Sequence, residues 1–99
     1  MRIGEVIGTV TLNRCHPSFV GTRLKLAVPL ALQDLLGSKS PPQADTLVVW
    51  DDLGAGVGSK IAISEGGEAA QPFRPHDKPV DAYCAALLDQ IDVALPQSP

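Results

Sequence analysis

Three glycines on alternate positions, Gly54, Gly56 and Gly58, follow directly on the apolar run Leu47-Val48-Val49-Trp50 and the acidic pair Asp51-Asp52. Glycine alone enters positive φ without steric cost, and it lets backbone approach another group with no Cβ between. A strand ending in such a loop must meet something at close range, either a phosphate or another backbone. Spacing separates the two. A P-loop needs a glycine, four residues and then Gly-Lys-Ser/Thr; here Leu53 stands where the first glycine should be, and Ser59 separates Gly58 from Lys60. The dinucleotide fingerprint needs its last glycine where this chain has Ser59. The next residues, Lys60-Ile61-Ala62-Ile63-Ser64, alternate as a strand does. No helix N-terminus therefore stands behind the loop to hold an anion. The loop reads as one built for backbone packing.

The chain has 99 residues, enough for one small domain with a modest core that oligomerisation would supplement. The expected unit is residues 1–95, with residues 96–99 a frayed tail. The net charge of −3 gives no footprint for a polyanion partner, and aromatics at 4% are too few for base-stacking platforms. No apolar run approaches the length of a membrane-spanning helix, and Glu5 interrupts any leader-like start. The expected location is the cytoplasm, with no membrane partner.

Arg2 to Leu12 is rich in Val, Ile and Thr and reads as a first strand, with Gly4 and Gly8 on one face beside Val6, Val10 and Leu12. Paired glycines on a strand suggest strong bending, as in a small barrel. In Arg23–Val28, Leu24, Leu26 and Val28 face one way and Arg23, Lys25 and Ala27 the other. Leu30–Leu36 suits a short helix. Gly37–Gln43 is a loop, Leu47–Trp50 and Lys60–Ser64 are strands, and Glu65–Glu68 is a turn. Ala69–Lys78, broken by Pro72 and Pro75, reads as loop. Val80, Tyr83, Cys84, Leu87, Leu88 and Ile91 fall at helical spacing, so Val80–Gln90 taken alone predicts a helix.

The order of motifs is more specific than any one of them. Gly8-Thr9-Val10, His16-Pro17 before Gly21, Asp51 to Gly58, Ile61 to Gly66 and Pro79-Val80-Asp81 run along nearly the whole chain, roughly residues 2–93. Together they resemble the EutN/CcmL family, the pentameric vertex proteins of bacterial microcompartments such as carboxysomes and metabolosomes. The resemblance implies a mainly β fold: a five-stranded OB-like barrel with one or two short helices, assembled as a cyclic pentamer. It also implies a structural role at shell vertices among hexameric tiles, without enzymatic activity or a cofactor. In such proteins Pro-Val-Asp is a turn leading into a long strand, so the resemblance favours strand over helix for residues 83–93. The residues expected at subunit contacts or in turns are Gly54, Gly56, Gly58, Asp51, Pro79 and Asp81. The resemblance departs at Ser59-Lys60-Ile61 and at Gly66-Gly67-Glu68-Ala69-Ala70-Gln71, where relatives carry other residues.

Two other classes compete with this reading. An OB-type single-stranded nucleic-acid-binding module would share the fold, but charge and aromatic content oppose it. A small enzyme could draw on Asp51, Asp52, His16 or His76. Adjacent Asp residues on a strand point to opposite faces, however, and do not make a dyad. Cys15 and His16 are adjacent, but His76 and Cys84 are too far apart to make the second close pair of a structural zinc site, so no metal is expected and both cysteines are read as free thiols.

Overall fold

The structure is a computed structural model that describes residues 1–19, 21–75, 78 and 80–95. Five strands close into a barrel: β1 (Arg2–Val10), β2 (Leu24–Pro29), β3 (Leu47–Trp50), β4 (Lys60–Glu65) and β5 (Ala82–Leu88), neighbouring in the order β1-β2-β3-β5-β4. Among the described residues, one short helix, α1 (Leu32–Leu35), and two 3-10 segments, Pro17–Phe19 and Gly66–Phe73, fill the connections. No helix among the described residues is long and apolar enough to cross a membrane.

Every ladder is antiparallel except that between β3 and β5, which is parallel and rests on the single pair Trp50–Tyr83. Closure leaves no long edge open to edge-to-edge pairing. Inside lie Val6, Ala27, Val49, Ala55, Ile61, Ile63, Ala82 and Cys84. A second layer packs on the outer face: Leu24, Trp50, Ala69 and Val80, flanked by Phe19, Phe73 and Tyr83. The 3-10 segment Gly66–Phe73 supplies Ala69 and Phe73 to that layer. Phe73 stands between Trp50, at a centroid distance of 4.9 Å, and Tyr83, at 5.4 Å.

Several expectations from sequence are corrected. The helix over Val80–Gln90 does not form, because β5 pairs with β4 from Lys60–Leu88 to Glu65–Ala82. Alternation then sends Cys84 inward and Tyr83 outward, so the helical stripe is split between two layers. The strand stops at Leu88, and Asp89–Leu95 is irregular, short of the expected strand to Val93. Gly4 and Gly8 do not share a face. A bulge between Val6 and Gly8 pairs Val6 with Ala27 and Gly8 with Leu26, neighbours that point to opposite sides. β1 ends at Val10, leaving Leu12 exposed in the following loop. In β2 the small residue Ala27 faces the barrel interior, while Leu24 packs in the outer layer. The expected turn at Glu65–Glu68 and the loop after it become the 3-10 segment Gly66–Phe73.

The helix expected within Leu30–Leu36 forms as α1, where the Ala31 N–H donates to Asp34 Oδ2 at 2.7 Å. Residues 96–99, along with His76, Asp77 and Pro79, fall outside the described residues.

Candidate functional site

The glycine loop is organised around one buried carboxylate. Asp51 follows the last residue of β3, and its side chain is 1% exposed. Its Oδ1 accepts the Leu53 N–H at 2.9 Å and the Gly54 N–H at 3.2 Å, and its Oδ2 accepts the Ala55 N–H at 2.7 Å. A buried carboxylate is costly unless donors surround it, and bonds from backbone N–H groups to an ionised acceptor are strong ones. The Lys25 ammonium lies 3.9 Å from Oδ2. Backbone ties the same residue down, because the Asp51 N–H donates to the Arg23 carbonyl at 2.8 Å. The chain thus wraps its own anion, and the wrapping drives Ala55 into the barrel interior.

The second half of the loop is fastened to β1. The Gly58 N–H donates to the Val6 carbonyl at 2.8 Å, and the Val6 N–H donates to the Ser59 carbonyl at 2.9 Å. Ser59 closes the turn: its N–H reaches the Gly56 carbonyl at 3.0 Å, and its Oγ accepts the Gly56 N–H at 3.2 Å. These bonds fall at the β1 bulge, which turns Ile7 outward. Leu53, Val57 and Ile7 are consequently exposed, Val57 at 73%.

The three glycines are not equivalent. Gly54 and Gly58 have φ of +82° and +91°, so each holds a conformation that a side chain opposes. Gly56 has no positive φ, and a Cβ there would meet only Ser59 Oγ, at 4.0 Å. Within the chain, then, Gly54 and Gly58 serve backbone geometry, and nothing in the barrel demands glycine at 56.

Among the other expected positions, Asp81 is exposed, and its carbonyl accepts the Gly66 N–H at 2.9 Å, fastening the start of the 3-10 segment. Pro79 lies outside the described residues. Asp52 turns away from Asp51 and accepts the Trp50 indole N–H at 3.1 Å, so the acidic pair is divided between opposite sides. Cys15 is exposed and Cys84 is buried in the core, and both are free thiols. Among the described residues no group of His, Cys, Asp and Glu could hold a metal ion. Burial, reinforced by the Asp51 charge and a hydrogen bond to Asp51, pushes the Cys84 thiol up to about 11. Burial first, and then the Asp52 charge, raise the Tyr83 phenol. Sequence reasoning missed Lys25, Ser59 and Val6 as supports of the loop. An Asp before a glycine run signals a side-chain-capped loop; which cation and which strand meet it depends on register.

The family model described as "Ethanolamine utilisation protein EutN/carboxysome" matches residues 1–89. The chain belongs to the EutN/CcmL family. Among curated EutN/CcmL relatives it is 34% identical over 93 residues to "Carboxysome shell vertex protein CcmL" of Gloeobacter violaceus, covering 94% of this chain and 87% of the relative. It is 32% identical over 92 residues to "Bacterial microcompartment shell vertex protein GrpN" of Rhodospirillum rubrum, covering 93% and 97%. The solved GrpN, titled a pentameric microcompartment shell protein, superposes with a TM-score of 0.78 at 31% identity, over 95% of this chain and 100% of that one. Gloeobacter violaceus CcmL gives a TM-score of 0.80 at 30% identity, over 94% and 90%. As a EutN/CcmL protein matched along its length by shell vertex proteins, this chain is a structural shell protein of the vertex class.

Proposed function

We propose that residues 1–95 assemble as a homopentamer that closes the vertices of a bacterial microcompartment shell, placed among hexameric shell proteins in the cytoplasm. One observation carries this reading above others: the barrel covers the whole of the pentameric GrpN chain at 31% identity. Closure of the barrel supports it, because copies must then associate through loops and faces rather than by edge pairing. A repeated heterologous contact that closes on itself makes a ring. The function is one of shape rather than catalysis. A five-fold ring fits where a six-fold sheet must turn a corner. The hydrogen-bonded loop 51–59 presents Leu53, Val57 and the neighbouring Ile7 for contact with the next copy, and Gly56 permits close approach there. Asp51, Gly54 and Gly58 give that loop its shape, and Asp81 fixes the start of the 3-10 segment.

Native mass spectrometry of the purified protein tests this reading. A dominant species at five times 10.4 kDa is expected. A monomer or dimer at micromolar concentration overturns the ring.

A further inference from the structure

We infer that the pocket between the end of β1 and the start of β2 binds a small oxyanion, a phosphate or a carboxylate, through Arg23 and Lys25. The pocket has a volume of about 400 Å³ and opens to solvent. Arg23 and Lys25 line it, together with Thr9, Thr11, Thr22 and Cys15, and among the described residues no carboxylate lines it. Two grooves elsewhere on the barrel differ: one is lined by Glu65 and Asp81, another by Asp34 and Asp89 with the single cation Lys60. In a chain of net charge −3 the pocket gathers two cations; Asp51 balances Lys25, and Arg23 supplies the uncompensated charge, whose field the concave walls focus.

Register explains why the cations meet here. Thr9 pairs with Lys25, so both side chains point to one side of the β1–β2 ladder, and Arg23 follows on that side at the rim. Lys25 is 19% exposed. Its 3.9 Å separation from Asp51 is too long for a hydrogen bond, and among the described residues it has no hydrogen-bond acceptor. The three loop N–H groups already surround the Asp51 carboxylate. The Lys25 N–H donors therefore remain open, although Asp51 balances its charge, while the Arg23 guanidinium is exposed and in no ion pair among the described residues. Arginine offers planar paired donors suited to a carboxylate or phosphate, and lysine adds a point charge. The space holds such an anion with its remaining water.

The test is a titration of isotope-labelled protein with inorganic phosphate, and separately with acetate, at constant ionic strength, followed by amide chemical shifts. Saturable shifts confined to Thr9, Thr11, Thr22, Arg23 and Lys25, for either anion, are expected. Arg23→Gln, an exposed substitution, is expected to weaken binding about tenfold, while Lys39→Gln in the distant Gly37–Gln43 loop leaves it unchanged. Non-saturating shifts spread over the surface, or equal binding by Arg23→Gln, overturn the site. Native mass spectrometry of the same sample reads the ring separately, so failure of the site and failure of the vertex reading are distinguishable.

Discussion

Asp51 Oδ2 accepts a 2.7 Å hydrogen bond from the Ala55 N–H, and that contact joins the end of a strand to a residue buried in the barrel core. Three amides depend on this one side chain. In Asp51→Ala the Ala55 amide loses its acceptor in a buried place, and the Leu53 and Gly54 amides lose theirs in a partly buried one. The cost is expected to be about 2–4 kcal/mol, from unpaired buried donors and the loss of a partner for Lys25. Asp51→Asn keeps one acceptor oxygen but turns an NH2 toward either Ala55 or the Leu53–Gly54 pair, and should cost less than Asp51→Ala. Urea unfolding at fixed protein concentration, followed by Trp50 fluorescence, checks the order.

Gly56 separates assembly from folding. It has no positive φ, and a Cβ there would find only Ser59 Oγ at 4.0 Å. Gly56→Val is therefore expected to keep the barrel's circular dichroism while lowering the five-fold species in native mass spectrometry. Gly58→Val, placed at φ +91°, is expected to destabilise the barrel itself by about 1 kcal/mol or more. An intact ring in Gly56→Val would remove this position from the subunit contact.

Gly4 answers to packing rather than to φ. A Cβ there would meet Ile63 Cδ1 at 2.5 Å and the Val28 carbonyl at 3.2 Å. Gly4→Ala should destabilise by about 1–3 kcal/mol through overpacking. Gly4→Ala with Ile63→Val, which removes the clashing methyl, should recover part of that loss. A double-mutant cycle in urea measures the coupling.

The two cysteines should separate under thiol titration. Cys15 is exposed, whereas Cys84 is buried with its thiol pushed up to about 11. One thiol per folded chain is expected to react with a disulfide reagent at mild alkaline pH, and two after denaturation. The thiolate is the reactive form, and burial withholds it at Cys84. The same shift acts on stability. The unfolded chain releases the Cys84 proton in the ordinary thiol range, and the folded chain holds it until about pH 11. The resulting stability is complete below the ordinary thiol range and falls as pH rises toward 11. Cys84→Ala should flatten the fall in that window.

Much of the barrel was legible in sequence because its strands carry local signals. Leu47–Trp50 is marked by its apolar run and Lys60–Ser64 by its alternation, with the glycine loop between them. What escaped depends on pairs distant in sequence. The bulge at Val6–Gly8 falls where the loop at Gly58 and Ser59 hydrogen-bonds to Val6, and no local pattern in β1 records that partner. Lys25 reads as a solvent-facing charge until register places it beside Asp51. The stripe over Val80–Ile91 is helical by spacing alone, and pairing with β4 overrides it as far as Leu88. Of the candidate site, Asp51 and the glycines were visible as turn chemistry, while the core position of Ala55 and the role of Ser59 were not.

The parallel seam between β3 and β5 has a mechanical consequence. Four borders of the barrel are laced by runs of backbone hydrogen bonds, but this one has a single paired position, Trp50 with Tyr83. Across that gap Phe73 lies against both rings, carried by the segment Gly66–Phe73. The cylinder is in effect a strip of sheet fastened by an aromatic buckle, and the pin of the buckle belongs to a connecting segment rather than to a strand. A force or a ligand that lifts Gly66–Phe73 therefore unfastens the wall without first breaking any long ladder.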